Sequence, residues 1–85
     1  MKPTKQQIQQ AIIESLYVQS LTLENLLDDV ILRLFNGNKR TFLSNYSDYS
    51  LEDARIEFED ELLGALKGMK NVVKKRNIYY LRCNL

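Results

Sequence analysis

The sequence predicts an all-α fold: a small three-helix bundle with a long C-terminal helix and a short apolar tail. Three observations predict it. Apolar residues recur at steps of three and four along three separate stretches, and a capping residue stands at the head of each. The only segment of strand-like composition, Ile78-Tyr79-Tyr80-Leu81, has no second strand in view to pair with, so a tail packed across the bundle is expected there. The chain is expected to form one helical domain over residues 1–85, with helices at about 5–19, 23–36 and 51–76.

The first helix opens behind Pro3. Thr4 and Gln7 have the spacing of a capping box, and Ile8, Ala11, Ile12 and Leu16 follow on one face, widened by Ile13 and Tyr17. The second carries the plainest pattern. Leu23, Leu26, Leu27, Val30, Ile31 and Leu34 fall at i, i+3, i+4, i+7, i+8 and i+11; Thr22 is placed to cap the start and Gly37 to end the helix in a left-handed conformation. From Asn36 to Ser50 turn formers dominate, with Phe42 and Leu43 as anchors, and a loop is expected. Ser50, three residues before Asp53, then caps a third helix that directs Leu51, Ala54, Phe58, Leu62, Ala65, Leu66, Met69, Val72 and Val73 inward as far as Arg76. At about 1.5 Å per residue this helix would span near 39 Å, too long for its own chain to cover.

Charge is the informative feature of the third helix. Seven acids (Asp48, Glu52, Asp53, Glu57, Glu59, Asp60, Glu61) and one base (Arg55) lie between Asp48 and Glu61; six bases (Lys67, Lys70, Lys74, Lys75, Arg76, Arg82) and no acid lie between Leu62 and Leu85. The helix macrodipole explains acids in the first turn and bases in the last, but not Glu57 to Glu61. Asp53, Glu57 and Glu61 stack like charges four residues apart, which calls for a basic surface opposite. Lys39 and Arg40 are one candidate. A second copy of the helix is the other: two such rods running antiparallel about Gly64 and Gly68 would set each acidic half on the other's basic half, as a two-fold homodimer requires. The competing reading is that the two glycines mark tight packing or a helix break.

Composition excludes several chemistries. With 12 Lys+Arg against 11 Asp+Glu and no His, the chain is nearly neutral and lacks the commonest metal ligand and general base near neutral pH. Cys83 is the single cysteine, which forbids an intrachain disulfide or thiolate cluster. No apolar run approaches a membrane span, and Met1 to Gln10 lacks the apolar core of a signal peptide, so a cytoplasmic location is expected. Asp28-Asp29 and the carboxylates from Glu57 to Glu61 resemble metal or acid/base material, yet they splay around a helix, and a bundle this small offers no obvious cleft; a solvated acidic face is the stronger reading. No phosphate loop or nucleophile motif is present, and no cofactor or metal is expected. The chain reads as not an enzyme.

The expected function is therefore binding. A protein partner fits best, whether the chain acts as adaptor, inhibitor or regulatory subunit. The contact residues would be Lys70, Lys74, Lys75, Arg76, Tyr79, Tyr80 and Arg82 at the basic end, with Asp53, Glu57, Asp60 and Glu61 as a second, acidic patch. Tyr46 and Tyr49 are further contact candidates, although the stronger expectation is that they fold back over the mouth of the bundle. Nucleic-acid binding through the same cations and tyrosines is the alternative, opposed by the near-neutral balance and by the acidic half of the helix. A phage or mobile-element origin would suit so compact a chain, though no residue marks it.

Overall fold

Seven elements follow one another in the computed structural model, which describes residues 2–46 and 50–82. They are α1 (Lys5–Val18), β1 (Leu21–Thr22), α2 (Leu23–Phe35), α3 (Lys39–Tyr46), α4 (Leu51–Lys67), β2 (Val72–Lys75) and β3 (Ile78–Leu81). The molecule is thus predominantly helical with a small three-stranded antiparallel sheet, rather than a purely all-α three-helix bundle.

The caps read from the sequence form as expected. Thr4 accepts from the Gln7 amide while the Gln7 side chain accepts from the Thr4 amide, a complete capping box. Thr22 and Ser50 accept from the amides of Asn25 and Asp53. At the end of α2 the left-handed conformation begins at Asn36 (φ 52°) and continues through Gly37 (φ 73°), after which the Asn38 amide returns to the Phe35 carbonyl. Buried Ile8, Ala11, Ile12 and Leu16 of α1 meet Leu26, Leu27 and Val30 of α2 and Ala54, Phe58, Leu62 and Ala65 of α4 in one core.

Residues 39–46, expected as loop, are helix α3. Its turn formers bond to their own backbone: Asn38 caps the start by accepting from the Thr41 amide, and the Ser44 and Asn45 side chains both donate to the Thr41 carbonyl. Phe42 and Tyr46, one turn apart, are the buried positions. They close a cluster of four rings with Phe35 and Phe58, at centroid separations of 5.3–6.3 Å and mostly edge to face.

The largest correction concerns the expected rod over 51–76. The helix ends at Lys67. The Gly68 amide bonds back to the Ala65 carbonyl, the Met69 amide to the Leu66 carbonyl, and Met69 is buried, which pulls the chain out of its helical path. Val72 and Val73, whose branched Cβ atoms favour extended backbone, then enter β2. A two-residue turn with both φ angles positive (Arg76 54°, Asn77 68°) reverses the chain into β3. Ile78-Tyr79-Tyr80-Leu81 is therefore the central strand and not a tail, with Lys75 opposite Ile78 and Val73 opposite Tyr80 on one side and the short β1 on the other. β3 packs on α1 and α2 through the buried Tyr79 and through Leu81.

Candidate interaction surface on the hairpin

The break at Gly68 separates what the sequence put on one helix. The acids stay on α4, and Lys70, Lys74, Lys75, Arg76 and Arg82 sit on or beside the β2–β3 hairpin. The acidic column has a basic neighbour from within the chain, and it is neither Lys39 nor Arg40. Lys2 Nζ lies 2.7 Å from a Glu57 carboxylate oxygen, 3.8 Å from one of Glu61, and 5.0 Å from the centroid of the Tyr46 ring. The Glu57 hydrogen bond, with the charges of Glu57 and Glu61, raises the Lys2 pKa above its ordinary value against the opposing effect of desolvation. Arg55 pairs with Asp28, and Arg33 with Asp29 and Glu14. Asp53 and Asp60 are exposed.

The hairpin differs. Among the described residues none of Lys67, Lys70, Lys74, Lys75, Arg76 and Arg82 pairs with a carboxylate. Strand alternation places Lys74 and Tyr79 on the inner face, where Lys74 Nζ stands 5.6 Å from the Tyr79 ring centroid. Val73, Lys75, Ile78 and Tyr80 share the outer face, on which Lys75 and Ile78 are exposed and Val73 and Tyr80 half-buried. Ile78 is 42% exposed and Tyr80 half-buried, and with Lys75 and Arg76 they line a depression of about 400 Å³.

The structure moves several contact candidates away from an exposed surface. Tyr46 folds back into the ring cluster, the stronger of the two expectations for it, and Tyr79 is buried under the sheet, so neither is an exposed contact. Burial and the neighbouring Glu61 and Glu57 carboxylates push the Tyr46 hydroxyl's pKa up. Gly68 caps α4, and Gly64 faces open space with nothing within 4 Å of a Cβ built there; the antiparallel pairing of two intact rods about these glycines loses its basis. Tyr49, Asp48 and Cys83 lie outside the described residues.

Sequence reasoning missed a cleft of about 240 Å³ between α2, α3 and α4, walled by Leu32, Phe35, Phe42 and Leu51 and edged by the Asp28–Arg55 pair. Leu32, which lies off the main stripe of α2 and is 56% exposed, was a signal of it, and Leu51, expected to point inward, is exposed at its rim. No group of three His, Cys, Asp or Glu side chains among the described residues could hold a metal ion, and no helix among them is long and apolar enough to cross a membrane.

The fold and this surface define a small, predominantly helical chain carrying a one-sided β-hairpin. Comparison with protein-family models, with curated proteins and with solved structures found no match.

Proposed function

We propose that the protein is a non-catalytic, cytoplasmic protein-binding module, an adaptor, inhibitor or regulatory subunit, whose contact element is the outer face of the β2–β3 hairpin. One observation carries the reading: exposed Ile78 stands with half-buried Tyr80 and Val73 on a sheet face bordered by Lys75 and Arg76, cations that no carboxylate among the described residues neutralises. An apolar centre with a charged rim is how protein contact surfaces are organised, and the rim selects an acidic partner. A second copy is the weaker candidate for that partner, because the rod that would have paired with itself ends at Lys67.

The test is affinity capture from the native host with the intact chain and with an Ile78→Ser, Arg76→Glu double variant. A partner retained by the first and lost by the second is the expected result; equal retention by both removes the hairpin from the contact. Light scattering across a dilution series identifies a self-associating chain by a mass that doubles at high concentration.

Nucleic-acid binding is the second reading, favoured by half-buried Tyr80 lining the same depression as Lys75 and Arg76, which are unpaired among the described residues. A mobility-shift assay with DNA and RNA at two salt concentrations separates the two. Steeply salt-dependent binding would put nucleic acid first.

A further inference from the structure

The outer strand of the hairpin has an open side. In the order β1-β3-β2, β2 has a neighbour on one side only. The ladder fixes which of its backbone groups are spare. The Arg82 amide donates to the Asn71 carbonyl at 2.7 Å, so Asn71/Arg82, Val73/Tyr80 and Lys75/Ile78 are the hydrogen-bonded pairs. Val72 and Lys74, which alternate with them, turn their N–H and C=O groups away from β3. The Val72 amide bonds the Met69 carbonyl at 3.4 Å. The Val72 carbonyl and both backbone groups of Lys74 are left with no strand to bond to.

Beside this edge lies a groove of about 500 Å³ between the hairpin and α4. Val72 and Tyr79 give it apolar surface, Lys67, Lys74 and Asp60 give it charge, and Gly64 opens its α4 side. A Cβ at Gly64 would meet nothing within 4 Å, so a backbone can approach closely there. The charges choose the occupant. No acid lies between Leu62 and Arg82, and Lys67, Lys70, Lys74 and Lys75 are unpaired among the described residues. Two β2 strands meeting edge to edge would bring four lysines together, so the edge repels its own copies while attracting a strand of opposite charge.

We propose that β2 receives an extended acidic segment of the partner protein as a fourth strand. Its backbone bonds to the Lys74 N–H and C=O and the Val72 C=O; alternate side chains enter the groove over Gly64, and its carboxylates meet Lys67, Lys70 and Lys74. This rests on the hairpin being the contact element and specifies the form and charge of what it binds.

The test titrates 15N-labelled protein with an eight-residue peptide alternating glutamate and valine, with its lysine–valine counterpart, and with a glutamate–valine peptide N-methylated at alternate residues. The acidic peptide is expected to shift the amide signals of Val72, Lys74 and Gly64, to slow exchange of the Lys74 amide, and to bind at least about tenfold more tightly than the other two. Gly64→Leu, which has room to fold, should weaken it by about tenfold with no fall in the thermal midpoint. Equal binding of the methylated peptide, equal binding of the lysine peptide, or no binding at millimolar concentration overturns strand addition. Shifts confined to Ile78 and Tyr80 also overturn it but leave the hairpin's contact role standing, which the capture experiment judges separately.

Discussion

Ser15 Oγ, in the buried face of α1, accepts a 3.1 Å hydrogen bond from Arg33 Nε on α2. The same Nε lies 2.8 Å from an Asp29 carboxylate oxygen, so serine, guanidinium and carboxylate form one network between the two helices. Burial pushes the Asp29 pKa up, but hydrogen bonds from Ser15 and Arg33 and the charge of Arg33 outweigh it and leave the carboxyl below its ordinary 3.8.

Ser15→Ala should therefore cost about 1–2 kcal/mol, since it leaves partly buried groups with a missing partner in place of a balanced network. The sign of the pH effect follows from linkage. A carboxyl whose folded pKa is depressed contributes stability that is complete above its unfolded pKa, near 3.8, and is lost as pH falls through the folded value. Urea midpoints measured from pH 6 to pH 2.5 should fall on the acid side, and the fall should be shallower in Asp29→Asn. An unchanged acid limb in that variant would remove Asp29 from the network's energetics.

Tyr46 gives the opposite limb. Its hydroxyl lies 3.4 Å from a Glu61 oxygen, and its pKa is raised above the ordinary 10.0 by burial first and by the nearby carboxylates second. A raised folded pKa contributes stability that is complete below pH 10 and lost as pH rises beyond it. Denaturation monitored by helix ellipticity should show weakening above pH 10 in the native chain and less of it in Tyr46→Phe. At pH 7 the same substitution should change stability by less than about 1 kcal/mol, because the bond it removes is long.

What the sequence revealed and what it hid follow from the length scale of each signal. The caps at Thr4, Thr22 and Ser50 and the stripe of α2 are local patterns, complete within a few residues or within the span from Leu23 to Leu34, and the structure contains them as read. α3 has only two buried positions in eight residues, too few to declare a period, and its capping and back-bonding side chains are the same residue types that build loops. Leu62, Ala65, Leu66, Met69, Val72 and Val73 continue a helical spacing past Gly68, so β2 was hidden inside an apparent helix face. β1 is two residues long and declares itself only by pairing with β3. The basic residues were visible from the start; that they flank an open sheet face depends on a strand pairing the sequence disguised.

Gly64 is exposed, lies within α4, and has no positive φ and no atom near its absent Cβ. Gly64→Ala should stabilise the chain by about 0.5–1 kcal/mol, by restricting the unfolded state more than the folded one. In a domain of this size that is a rise of roughly 2–8 °C in thermal midpoint. A fall would mean that this position packs more tightly than its surroundings indicate. Gly68→Ala is the comparison: its Cβ would meet the Gln9 amide nitrogen at 3.4 Å, ordinary contact, so its effect should be small.

The turn at Arg76 and Asn77 separates stability from binding. Both residues hold positive φ, which costs about 1–2 kcal/mol for a residue with a Cβ and is met best by Asn followed by Gly. Asn77 is suited to it in part; Arg76 is not, and its exposed side chain makes no ion pair among the described residues that would offset the strain. Arg76→Asn with Asn77→Gly should therefore raise the thermal midpoint and slow amide exchange in β2 and β3. If the guanidinium is kept for contact, the same double variant should hold its captured partner less well while being the more stable protein. Gains in both would show that Arg76 contributes nothing to binding, and a loss of stability would show that the turn is not of the type the two φ angles describe.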